Sequence, residues 1–377
     1  MTRIIEPEGG VVRFTRHDAM GNVLTKIDAR GEKWEYTYNS AGDLTAVIDP
    51  VGRKTAYAYD AAGNKTSETR PDGTAIRYAY DTRGNMSRKT LVMDAADESR
   101  NLVTEYAYTF DDKLARKTDP EGNTTLYEYD TRGRLTKAID PAGNETAMQY
   151  GGESGCTTCG ASTDQPSTII YPTYEKELDY DARGRKTAER DIAGQALETT
   201  YAYDAAGNLT AKTDKNGRTT YYAYDELNRL IRVTDPASAE TAYEYDSRDN
   251  LISLTDAEGS TTRFEYDGNN RLVKEIRPQG EETAYAYDAA GNLAQKIDAM
   301  GQKTEYNYDA AGQLTEIRYY ASSMDNTPGK TVSFTYDAND NLTGYDDGST
   351  SAQYEYDAAG RKVSTTVDYG AFEKTHT

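Results

Sequence analysis

Aspartates recur along this chain at a fixed interval: Asp204, Asp225, Asp246, Asp267, Asp288 and Asp309 are each 21 residues apart, as are Asp60 and Asp81. Each closes a motif whose fullest form is Tyr-Ala-Tyr-Asp-Ala-Ala-Gly-Asn, present at Tyr57–Asn64, Tyr201–Asn208 and Tyr285–Asn292. Weaker copies centred on Asp18, Asn39, Thr109, Asp130, Gly151, Asp181, Asp337 and Asp357 bring the total to about sixteen units over nearly the whole chain. A fixed period in this range is the signature of a repeat architecture. A length of 377 residues would ordinarily suggest two or three domains, but an unbroken repeat argues for one elongated domain.

Each unit reads as a β-hairpin. In the unit at Thr199–Thr220, Thr199, Tyr201 and Tyr203 alternate with Thr200, Ala202 and Asp204, the period-2 pattern of a strand with one large face. Asp204-Ala205-Ala206-Gly207 follows with type I turn chemistry: the carboxylate accepts a nearby backbone N–H, and glycine tolerates positive φ. In the second strand, Leu209, Ala211 and Thr213 are expected to share a face, as are Leu44, Ala46 and Ile48, or Leu272, Lys274 and Ile276. A second turn follows, clearest at Asp49-Pro50-Val51-Gly52, Asp119-Pro120-Glu121-Gly122 and Asp140-Pro141-Ala142-Gly143, where proline presets φ for the same turn type. Turn signals every ten or eleven residues leave no room for helices, and β-branched and aromatic residues dominate between them. The fold class is therefore all-β: about sixteen 21-residue β-hairpins in an antiparallel ribbon of roughly 150 Å at ~4.8 Å per strand. A ribbon of that length is expected to coil, as a spiral, an open shell or a wide barrel.

The pattern Tyr-x-Tyr-Asp-x-x-Gly-(Asn/Arg)-Leu, followed by Asp-Pro-x-Gly and a new Thr-x-Tyr-x-Tyr-Asp, resembles the YD repeats of the RHS (rearrangement hot spot) family along almost the whole chain. The resemblance implies a spiral of β-hairpins. In bacterial polymorphic toxins and insecticidal toxin complexes such a spiral forms a hollow cocoon around a toxic polypeptide, and teneurins carry a related barrel used in cell-surface adhesion. The closing core module and variable toxin domain of the toxin-bearing members have no counterpart near Val367-Asp368-Tyr369-Gly370. The chain is thus expected to be a segment of repeats from something longer.

Aliphatic side chains are sparse, and the 33 tyrosines stand in for them, supplying apolar area while keeping a hydroxyl bonded or wet. A formal charge of −20 disfavours nucleic acid, which needs a basic stripe, and suits a solvated surface or a basic partner. No apolar run approaches the roughly 20 residues of a membrane span, and the N-terminal residues lack the apolar region of a signal peptide. Localisation is expected to follow the parent protein, secreted or at a cell surface.

Residues 1–150 are read as YD hairpins, 151–166 as a Cys-containing insertion replacing one hairpin turn, and 167–377 as hairpins again, all one repeat domain. The insertion holds the only cysteines, Cys156 and Cys159. Their spacing allows a local disulfide or structural thiols, half of a metal site that would need two further ligands, or redox chemistry, which usually has a βαβ context. Two lengthened loops, at 94–100 and 321–329, are polar and carry no reactive constellation. Trp34, the one tryptophan, reads as a packing variant at a strand start. No nucleotide-binding, zinc-protease or serine-hydrolase motif is present, so no catalytic residue and no cofactor is expected. The repeat motif itself is carried by Tyr57, Tyr59, Asp60 and Gly63, by Tyr201, Tyr203, Asp204 and Gly207, and by Tyr285, Tyr287, Asp288 and Gly291. Two roles fit: a scaffold enclosing or presenting another polypeptide (a cargo, or flanking repeats of a longer chain), or a module recognising carbohydrate or protein through tyrosine-lined sheet faces.

Overall fold

A computed structural model describes residues 2–5, 11–93, 97–151, 164–192 and 197–376. Among them are 34 β-strands and one short 3-10 turn, Glu98–Arg100. All 34 strands belong to one sheet, in which a strand pairs antiparallel with its neighbours in the chain. Thr2–Ile5 pairs with Val11–His17, and Glu373–His376 with Lys362–Asp368. The ribbon is thus unclosed. The chain divides into two compact units, one formed by Met1–Val103 with Phe264–Thr377, the other by Thr104–Arg263.

Two strand lengths alternate. The tyrosine strands Lys54–Tyr59 and Glu282–Tyr287 have six residues, and their partners Lys65–Thr69 and Leu293–Ile297 have five. The YD turn that joins them is a type I turn closed by a left-handed glycine. Gly63 N–H donates to Asp60 O (3.1 Å) and Asp60 N–H to Asn64 O (2.9 Å). This is the three-residue hairpin with a G1 bulge, in which glycine takes the positive φ. Gly63 sits at +86°, Gly207 at +106° and Gly291 at +92°. The link turns, such as Asp49–Gly52, use the same pair of backbone bonds.

The two sides of a strand differ in register. Between Lys54–Tyr59 and the preceding strand Leu44–Ile48, pairing runs evenly: Ala46↔Ala56, Val47↔Thr55, Ile48↔Lys54. Across the YD turn it slips, with Ala58↔Ser67 followed by Tyr59↔Lys65. The same slip occurs at Ala202/Tyr203 and Ala286/Tyr287. A residue is therefore bulged out beside every such turn, which increases local twist.

This bulge overturns the expected face assignment. Leu209 lies opposite Tyr203, whereas Ala211 lies opposite Ala202. Consecutive residues Ala202 and Tyr203 point to opposite faces, so Leu209 joins the tyrosine face and Ala211 the other. Leu44 and Ala46 separate in the same way, opposite Tyr38 and Thr37. These hairpins thereby place a leucine beside the second tyrosine and an alanine on the far face, whereas Lys65 and Lys186 take the leucine position opposite Tyr59 and Tyr180. Ala46 and Ala188 are among the most buried side chains, at 4% exposure.

Among the described residues no large side chain is fully buried. The ribbon is held by its ladders, its turns and a half-buried layer of tyrosine and leucine.

A Cβ at Gly63 would meet nothing within 4 Å, so the penalty of Gly63→Ala is purely one of backbone conformation, about 1–2 kcal/mol. Hydrogen exchange is expected to accelerate in the hairpin Lys54–Thr69 and to stay unchanged several hairpins away, as nearest-neighbour stability requires.

Candidate functional site

The repeated motif residues assemble at the YD edge of the ribbon. Asp60 Oδ1 accepts the backbone N–H groups of Ala62 and Asn64, both at 2.9 Å, and Oδ2 accepts Asn64 Nδ2 at 3.0 Å. Asp288 does the same with Ala290 and Asn292. Asp204 binds Gly207 N–H, Asn208 N–H and Asn208 Nδ2. Both oxygens of each carboxylate are consumed locally. The side-chain bond from Asn64 holds the Asp60 carboxyl below its usual range, and Asn208 does so for Asp204.

The residue after the glycine completes this clamp, a role that the sequence alone showed only as an Asn/Arg alternation. Where it is arginine, Nε replaces the amide, as from Arg134 to Asp130 (2.7 Å) and from Arg271 to Asp267 (2.7 Å). The guanidinium then covers the second tyrosine of the next unit. Arg134 lies 4.2 Å from the Tyr150 ring centre, Arg185 4.7 Å from Tyr203, and Arg271 4.7 Å from Tyr287. These are cation–π distances.

The two tyrosines of each motif do different things. The second reaches back to the preceding hairpin: Tyr59 Oη donates to Leu44 O (2.9 Å), Tyr287 to Leu272 O (2.8 Å) and Tyr203 to Lys186 O (2.9 Å). The backbone ladder between those strands ends at Ala46–Ala56, Lys274–Ala284 and Ala188–Thr200. The hydroxyl continues the pairing past the point where backbone N–H groups stop. The first tyrosine packs in the middle of the face. Lys65 Nζ lies 5.5 Å from the Tyr57 ring and Lys186 Nζ 4.9 Å from that of Tyr201. Burial pushes the Tyr57 and Tyr285 hydroxyls up from their ordinary pKa.

Within the first unit the link edge of residues 28–73 meets the YD edge of residues 309–360. Arg30 donates to Asp309 O (2.7 Å) and Ala310 O (2.9 Å). Arg53 is held at Nε by Asp49 (2.6 Å) and reaches Asp340 Oδ1 (2.7 Å), which Gln313 Nε2 also binds (2.9 Å). Asn339 Nδ2 donates to Asp72 Oδ2 (2.6 Å). Asp340 occupies the position of the motif glycine, with φ +67°, and its carboxylate is what bridges the seam. A cavity of about 500 Å3 lies here, lined by Trp34, Arg53, Arg70, Pro71, Asn339 and Asp340 among others. Trp34, expected only to pack a strand start, therefore also faces this seam, with Lys26 Nζ 4.9 Å from its ring.

Cys156 and Cys159 lie outside the described residues. Among the described residues no group of three or more His, Cys, Asp or Glu side chains is placed to hold a metal ion, and no helix is long and apolar enough to cross a membrane.

The RHS repeat family matches residues 38–75, 111–145 and 336–371, and the teneurin YD-shell family matches residues 171–325. Between them these stretches cover more than half of the chain. The chain is built of RHS and teneurin YD-shell repeats. No curated protein matches it. Among solved structures it is similar to TcdB2-TccC3-TEV, with 15% identity and a TM-score of 0.77 over 94% of this chain. It is also similar to TcdB2-TccC3 without the hypervariable C-terminal region, at 16% identity and a TM-score of 0.74, again over 94% of this chain. At these identities the likeness is one of fold. This YD-repeat chain spans about a fifth of the length of those chains, 21% and 22%.

Tyr59→Phe removes the bond to Leu44 O and leaves that carbonyl unpaired. A local destabilisation of about 1 kcal/mol is expected, read as faster amide exchange in the strands Leu44–Ile48 and Lys54–Tyr59. Tyr57→Phe keeps the ladder bond and should change exchange there by much less.

Acid sensitivity follows from the depressed carboxyls. Hydrogen bonds from Lys176 and Lys186 lower Glu189 from the usual value of 4.5 to about 2. A carboxyl lowered in the folded state stabilises fully above its unfolded value, and the contribution fades as pH falls through the folded one. Thermal stability is expected to hold above pH ~5 and decline progressively below it. Glu189→Gln should remove part of that decline while lowering stability at neutral pH.

Proposed function

We propose that this chain is a non-enzymatic structural scaffold, a length of YD-repeat wall that encloses or presents another polypeptide of toxin or effector type. The observation that carries this reading is the complete structural employment of the repeated side chains. Asp60, Asp204 and Asp288 spend both carboxylate oxygens on their own turns, and Tyr59, Tyr203 and Tyr287 spend their hydroxyls on neighbouring carbonyls. A lectin face would need convergent polar groups beside its aromatic rings, and the hydroxyls of the second tyrosines Tyr59, Tyr203 and Tyr287 are already committed to the ladder. The fold shared with the TcdB2-TccC3 structures supports the same reading. The parent protein is accordingly read as secreted or displayed at a cell surface, where a −20 chain would favour a basic cargo.

A disordered reporter polypeptide fused to the C-terminal end of the chain tests the proposal. Its half-life towards protease should lengthen at least several-fold relative to the same reporter on an unrelated β-protein, with slower amide exchange in the reporter. Equal lifetimes and equal exchange would overturn the scaffold reading.

A further inference from the structure

The seam between residues 28–73 and 309–360 differs from the boundaries between chain-neighbour strands of the first unit. Chain-neighbour strands share backbone ladders, while the two sides of the seam meet through side chains of their turns. Three contacts carry it: Arg30 on the carbonyls of turn 309–312, Arg53 on Asp340 with Gln313, and Asn339 on Asp72. A cavity of about 500 Å3 also lies there, with Trp34, Val47 and Pro71 on its wall. The closed arrangement also buries Arg30 Nε and Asn339 Oδ1 without a protein hydrogen-bond partner, which destabilises it. Asp340 remains largely exposed, with 65% of its side-chain area in solvent, so its pairing with Arg53 is weak and screened by salt.

We infer that the seam is a polar latch, the place where the ribbon of the first unit opens while its hairpin ladders stay intact. Arg53 is the central element. Asp49 orients it from its own turn, so it is preset to engage Asp340 and needs little reordering to close again. Arg30 is the second tie, and its two carbonyl acceptors make that contact less sensitive to salt than the Arg53–Asp340 pair. Opening is therefore local and reversible, of the kind expected where few apolar contacts hold an edge. For a wall around another polypeptide, such a latch would be the port. That last step rests on the scaffold reading; the latch does not.

Trp34 is the only tryptophan and lines the seam cavity, so its fluorescence reports on this one place. In the chain alone, without any cargo, acrylamide quenching of Trp34 should rise at least twofold between 0.05 and about 1 M NaCl, where the Debye length shrinks to ~3 Å. The far-ultraviolet circular dichroism should not change. Arg30→Gln with Arg53→Gln should give the high quenching already at low salt, again with the sheet signal intact. Arg134→Gln, which loosens a turn clamp in the second unit, should leave Trp34 at its wild-type value. Quenching that ignores both salt and the double substitution would overturn the latch, as would a rise that occurs only together with loss of the sheet signal. If the double variant does not fold, the salt titration of the wild-type chain still decides. Because no cargo is present, failure here leaves the reporter-protection test untouched.

Discussion

The hydroxyl of the second motif tyrosine is the bond on which the ribbon depends. A hairpin with a G1 turn and an adjacent bulge twists strongly, and the ladder to the previous hairpin cannot follow it to the YD edge. It stops at Ala46–Ala56, with Leu44 O left beyond its end. Tyr59 supplies the missing donor from a side chain long enough to span the gap. Phenylalanine in the same place would fill the volume and leave the carbonyl bare. Where that bond forms, tyrosine does two jobs, apolar cover and ladder extension, which helps explain how a chain with 33 tyrosines and 5 phenylalanines holds a sheet with so thin a core.

The turn clamp and the tyrosine bond are coupled through the residue after the glycine. Asn64 closes its own turn, whereas Arg134, Arg185 and Arg271 close theirs and also cover the tyrosine of the following unit. Substituting glycine is tolerated where the new side chain has somewhere to bind. Asp249 sits at φ +67° and accepts from Arg229, and Asn228 at +63° accepts from Asn208. The unfavourable left-handed backbone of these residues is offset by bonds that tie one turn to the next.

The hairpin, its two turns and its 21-residue period were legible from Asp, Gly, Pro and Tyr alone, because each of these residues has a local reason for its position. The face assignment of Leu209 and Ala211 was not, since a single bulged residue reverses the parity that alternation assumes. The seam was equally hidden. Arg30 and Arg53 differ in no obvious way from other basic residues at turns, and their partners lie up to 287 residues away. The one local hint was Asp340 standing where the motif calls for glycine.

The seam also gives the chain a way of counting. A 21-residue unit touches mainly its two neighbours, so duplicating or losing one by recombination would leave every turn clamp and tyrosine bond as it was. The pairing of turn 28–31 with turn 309–312, and of Arg53 with Asp340, would not survive such an event. A hairpin gained or lost beside either edge, within the first unit, brings a different turn opposite each arginine. Extra residues inside the loop at 321–329 change nothing of this kind, because that loop folds back on its own link turn through Ser323 and Lys303. Loop length is thus free to vary, while the turns that meet at the seam of the first unit are fixed in their pairing.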